Sequence, residues 1–145
     1  MEHISRFFDA DAISALDATV TGNEVLKVLK SFSKDKCPGP DGWPAEFFIH
    51  FFDLMGEEIT KVVEHIRTRG FMPPSLNSTF IALIPKMDVP SSFADFRPIA
   101  LCNVLYKTSS KIIADRLKGT LSTFISNEQY GFLKGCPIHD ATAIA

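Results

Sequence analysis

With 145 residues the chain has the length of about one domain, and a domain of that size buries roughly 70% of the surface its unfolded chain exposes. A hydrophobic share of 46% against 22% charged residues, with 13 Phe, excludes an intrinsically disordered or fibrous chain. The formal net charge of -2 is unevenly divided: residues 1–70 carry 12 acids and 8 Lys/Arg, residues 71–145 carry 5 and 7, so the halves read -4 and +2 and an anionic partner is directed to the second half.

Cys37, Cys102 and Cys136 lie far apart, without a C-x-x-C spacing and without a His at zinc-ligand distance. Their odd number suits a reducing compartment rather than a disulfide framework. The N-terminal MEHISRFFDADAIS has acids where a secretory signal needs positive charge, and no apolar run approaches the roughly 18 residues of a membrane span. The expectation is a soluble intracellular chain, cytoplasmic or nuclear, with no membrane partner.

Residues 1–20 show little periodicity and read as a poorly ordered segment, in which Asp9 and Asp11 are surface acids without a third ligand nearby. Thr21-Gly22-Asn23-Glu24 is a capping-box pattern that predicts a helix to about Phe32, with Val25, Leu29 and Phe32 on one face. Lys34-Asp35-Lys36 then leads into CPGPDGWPAEFF at 37–48. Pro38 and Pro40 fix φ, Gly39 and Gly42 permit turns closed to residues with a Cβ, and Asp41 reads as a turn residue. Pro44 suits a first helical position. Phe47, Phe48, Phe51, Phe52, Leu54 and Met55 give the helix a broad apolar face, and a second helical stretch from Glu57 to Arg69 is expected after a break at Gly56.

Gly70 and Pro73-Pro74 stop the helices. Residues 78–84 predict a strand ended by Pro85, with Lys86 at its exit, and residues 96–101 a partner strand whose pairing Pro98 limits. A helix from Asn103 to about Phe124 follows. Leu105, Ile112, Ile113, Leu117, Leu121 and Phe124 fall on one side, and Lys107, Lys111 and Lys118 within about 40° of one another on a wheel of about 100° per residue. By itself such a basic stripe is an ordinary solvated face. A polar turn at 126–128 and a further helix start at 136–141 close the chain. These elements amount to an α+β fold, mostly helical with a small antiparallel β element, in a single domain from 21 to 145.

In order and spacing, CPGPDGWPAEFF, LIPK at 83–86, FRPIALCNVLYKTSSKIIADRLK at 96–118 and EQYGFLKG followed by Ile-His-Asp-Ala at 138–141 make the chain from about residue 24 onward resemble the reverse transcriptase domain of non-LTR (LINE-type) retroelements. Group II intron reverse transcriptases are similar at greater distance. The resemblance implies an incomplete fingers part of a right-hand polymerase with part of the approach to the palm. It implies that Pro38, Gly39, Pro40, Asp41 and Gly42 form a structural motif leading into the fingers. It further implies that Lys86 and Arg97 reach the triphosphate of an incoming nucleotide, the Arg as a bidentate fork and the Lys as a point charge, and that Lys107, Lys111 and Lys118 lie toward the template backbone. Partners in the full-length family are an RNA template, a DNA primer and a deoxynucleoside triphosphate, with a palm-containing chain as a further candidate here. The chain departs from the family at Cys136, where arginine is usual, and at Ala100, where serine is commoner.

Nucleotide addition needs carboxylates that hold two Mg²⁺ ions about 4 Å apart. In the family these sit in a strand motif and a Tyr-Ala-Asp-Asp-type turn of the palm, neither of which occurs in these 145 residues. No catalytic residue and no metal ligand is therefore assigned, Mg²⁺ belongs only to a complete family member, and no polymerase activity is expected of this chain alone. The alternatives are a non-catalytic RNA-binding or partner-binding remnant and a retroelement relic without activity.

Overall fold

The structure is a computed structural model and describes residues 10–121. These divide into two compact units, one of residues 20–112 and the other built from the residues on either side. The order is α1 (Ala10–Asp17), α2 (Gly22–Lys30), α3 (Ala45–His50), α4 (Phe52–Arg69), α5 (Pro74–Asn77), β1 (Thr79–Pro85), β2 (Phe96–Cys102) and α6 (Val104–Leu121). Helices joined to one two-stranded antiparallel sheet make the fold α+β. The segments expected at 122–124, 126–128 and 129–141, with Cys136, lie outside the described residues.

In the larger unit α2 starts where the capping pattern puts it. The Thr21 hydroxyl accepts from the Glu24 amide at 3.2 Å, which satisfies one of the orphan donors of the first turn. Val25, Val28 and Leu29 are buried. They meet Ala45 and Phe48 of α3, Ile59 and Val63 of α4, and Val104 and Ile112 of α6 in one apolar core. Glu64 of α4 accepts from the Val20 amide at 3.0 Å and pairs with Arg67 at 2.7 Å, tying the approach to α2 against α4.

Several boundaries differ from expectation. Pro44 is the cap rather than the first residue of α3 (φ -75°, ψ 164°). The break in the Phe-rich segment falls at Phe51, where α3 ends and α4 begins, not at Gly56. Gly56 is buried inside α4, and a Cβ there would stand 2.7 Å from the Phe52 ring, so this glycine makes room for an aromatic side chain. Gly70 ends α4 in the left-handed region at φ 62°, as its chemistry suggests. On α6 the seam buried in this unit is Val104, Thr108, Ser109 and Ile112, while Ile113 is exposed. The hydroxyls of Thr108 and Ser109 donate to the carbonyls of Val104 and Leu105 at 2.8 and 3.0 Å, which lets polar residues occupy a buried seam.

In the smaller unit α1 occupies Ala10–Asp17, within the segment where the sequence shows little periodicity. No residue of α1 is buried, so its alanine-rich sequence forms a helix by propensity rather than by packing. The Arg116 guanidinium donates to the carbonyls of Leu16 and Ala18 at 3.2 and 2.5 Å, a cation at the negative end of the helix. The segment 1–20 is therefore not structureless throughout.

Candidate functional site

β1 and β2 pair in one register, from Thr79 opposite Cys102 to Pro85 opposite Phe96. Arg97 stands opposite Ile84. The Lys86 amide continues the ladder by donating to the Asp95 carbonyl at 2.7 Å. Because side chains alternate with period two, Lys86 and Arg97 share a face as diagonal cross-strand neighbours, a placement that corresponds to about 7–8 Å between backbones. Both are exposed. Phe80, Ala82, Ile99 and Leu101 line the same face by register.

The ten residues that join the strands are held by their own polar groups. One oxygen of the Asp95 carboxylate accepts from the amides of Ser91 and Ser92, each at 2.9 Å, and from their hydroxyls at 3.2 and 3.1 Å. The Ser91 and Ser92 amides hold the carboxyl below its ordinary range. The Asp95 amide closes a 3-10 turn on the Ser92 carbonyl at 3.1 Å. Lys86 Nζ donates to the Ala94 carbonyl at 2.6 Å, which leaves two of its three donors for other acceptors. Among the described residues the Arg97 guanidinium has no ion pair. The ribbon thus presents two exposed cationic residues, one of them held back against its own loop, in an arrangement suited to an anion with several oxygens.

The CPGPDG loop packs elsewhere in the same unit. Gly39, Pro40, Asp41 and Gly42 form a turn closed by the Gly42 amide on the Gly39 carbonyl at 3.0 Å. Pro40 presets its second position, and Gly42 leaves it at φ 76°. Asp41 Oδ1 accepts from the Trp43 amide at 3.1 Å. A Cβ on Gly39 would meet the Asn103 backbone nitrogen and Oδ1 at 2.4 Å, so the turn lies directly on Asn103. Asn103 is 1% exposed. Its Oδ1 accepts from the Asp41 amide at 3.2 Å, and its Nδ2 donates to the carbonyls of Ser75 and Leu76 at 3.2 and 3.4 Å. One amide therefore joins the loop, the α5 turn and the point where β2 passes into α6. Sequence reasoning missed this residue, because an Asn just before a helix reads as an ordinary N-cap. The signal was its place directly after a strand and before a helix, with a glycine-rich loop left without a partner.

Of the three lysines of the α6 basic stripe, Lys107 and Lys111 belong to the larger unit and are half-buried, and Lys118 is an exposed residue of the other. Lys107 and Lys36 line a cavity of about 260 Å³ with Phe32, Cys37, Glu46 and Val104. Among the described residues no three His, Cys, Asp or Glu side chains gather as metal ligands, and the Asp95 oxygen is occupied by four donors. The carboxylates of the described residues do not fit a two-metal site. No helix among these residues is long and apolar enough to cross a membrane.

No protein-family model matches the chain. The chain is 30% identical over 125 residues to the transposon TX1 uncharacterized 149 kDa protein of Xenopus laevis, a match covering 86% of this chain and 10% of that protein. The chain thus spans about a tenth of the relative's length, and the similarity relates it to a transposon-encoded protein.

Proposed function

We propose that the chain is a fingers-type segment of a retrotransposon RNA-directed DNA polymerase, in which the β1–β2 ribbon contacts the nucleotide triphosphate and α6 the template. The observation that carries this reading is the register, which sets Lys86 and Arg97 on one exposed face of a clasped hairpin. The similarity to a transposon protein supports the retroelement origin. Arg97 is the principal phosphate contact, and Lys86 assists with the donors that its bond to the Ala94 carbonyl leaves over. Lys107, Lys111 and Lys118 are the template-side cations. The sequence supplies no Tyr-Ala-Asp-Asp-type turn, so catalysis requires a palm from elsewhere, and the 145 residues alone bind without polymerising.

The test is titration of the isotope-labelled chain with dTTP, followed by amide chemical shifts. Perturbations centred on residues 84–97, weakening with salt and about tenfold weaker in Arg97→Ala, the loss expected when a hydrogen-bonded charge is removed, would support the reading. Shifts spread evenly along the chain, or unchanged by Arg97→Ala, would remove it.

A further inference from the structure

Trp43, Phe47, Phe51 and Leu54 form a continuous apolar stripe along the α3–α4 pair. Trp43 stacks on Phe47 with ring centroids 4.1 Å apart, Phe47 meets Phe51 at 5.0 Å, and His50 stands edge-on to Phe51 at 4.8 Å. The Leu54 amide donates to the Phe51 carbonyl at 3.0 Å, which sets Leu54 one turn further along. Phe48 turns inward and is buried, and Phe47 is partly buried against the core, whereas Trp43, Phe51 and Leu54 are 49%, 42% and 85% exposed. The stripe is not loose, since the Gly39–Gly42 turn and the Asp41 carboxylate fix the backbone of Trp43.

The charge beside Leu54 is net negative. Asp53, Glu57 and Glu58 surround Leu54 on α4, and the only cation among them is Lys61, which pairs with Glu57 at 2.8 Å and Glu58 at 2.9 Å. Three acids against one lysine leave -2. Such a border repels phosphate, so a nucleic acid is the wrong ligand for this face. Helices offer no unpaired backbone edge, so strand addition is excluded as well. Ring contacts run from Trp43, just before α3, through Phe47 to Phe51 at the α3–α4 junction, and Leu54 follows in the first turn of α4, so the anchors form an apolar ridge of the kind on which one helix receives another.

We infer that this stripe docks an amphipathic helix of another polypeptide whose polar flanks carry lysine or arginine. The aromatic anchors provide the desolvated centre and the acids the rim that selects the sign of the partner's charge.

Trp43 is the single tryptophan of the chain and reports on the face directly. The probes are a helical peptide of leucine and lysine, a second peptide with glutamate at each lysine, and oligouridylate. The expected result is a saturable blue shift of Trp43 emission with the lysine peptide, weakened at least tenfold by Leu54→Glu. That variant adds an acid, so loss of binding there separates apolar docking from charge attraction alone. The double change Glu57→Gln and Glu58→Gln should weaken binding several-fold without touching the stripe. Leu54 is largely exposed, so its variant should keep the parent's melting temperature. Equal affinity for the glutamate peptide, a stronger response to oligouridylate, binding unchanged in Leu54→Glu, or a blue shift that follows self-association of the chain would each overturn the inference.

Discussion

Asn103→Asp changes one buried atom from donor to acceptor while preserving shape. In the native chain Oδ1 takes the Asp41 N–H at 3.2 Å, and Nδ2 gives to the Ser75 and Leu76 carbonyls at 3.2 and 3.4 Å. The aspartate keeps the first bond. Its other oxygen would face two carbonyls in a site only 1% exposed, which leaves an uncompensated buried charge, a cost of about 3–5 kcal/mol. Protonation limits that cost. Neutralising a carboxyl of ordinary pKa about 3.9 at pH ~7.5 requires about 3.6 units at 1.36 kcal/mol each, or roughly 5 kcal/mol. At pH ~4.5 the same step requires less than about 1 kcal/mol. The folded-state pKa of this aspartate is raised, so its penalty grows as pH climbs above the unfolded value and shrinks as pH falls. Urea melts of variant and parent at both pH values measure the gap: about 3–5 kcal/mol at the higher, near 1 kcal/mol at the lower. At ~2–4 °C per kcal/mol the higher value is a loss on the order of 10 °C in Tm. A gap below about 1 kcal/mol at pH ~7.5, or one that does not narrow on acidification, would refute the argument that this amide ties loop, turn and helix start together.

Gly56→Ala gains helix propensity of about 1 kcal/mol but sets a Cβ 2.7 Å from the Phe52 ring. Overpacking of that kind costs about 1–3 kcal/mol, so the expected outcome in a thermal melt is a small net loss, and a clear gain would show that the ring yields freely. For Asp95, hydrogen bonds from the Ser91 and Ser92 amides hold the folded carboxyl low. Its contribution is present above the unfolded carboxyl range and lost as pH falls through the lower folded value. An NMR titration of this carboxyl should therefore have its midpoint below the ordinary value of about 3.9, with Ser91 and Ser92 amide shifts moving in the same step. A midpoint at or above that value would disprove the clasp.

Much of the local structure was legible in the residues themselves. The Thr21 cap, the αL stop at Gly70, the antiparallel strands around an intervening polar loop, and the helix that follows Asn103 all depend on short-range chemistry: side-chain caps, absence of a Cβ, and alternation of apolar residues. The turn at Gly39–Gly42 belongs to the same class. Tertiary contacts decided the rest. Gly56 looks like a break and is a packing site, because the Phe52 ring takes the space a methyl would fill. Thr108 and Ser109 are polar and nevertheless buried, because each hydroxyl finds a carbonyl one turn back. The alternation of strand residues marks which side chains share a face within each strand. Only the pairing of Ile84 with Arg97 sets Lys86 and Arg97 side by side across two strands. Asn103 shows the division most plainly, since its partners lie 62 and 28 residues away in sequence, and no local rule connects an amide to carbonyls that the chain brings near it only after folding.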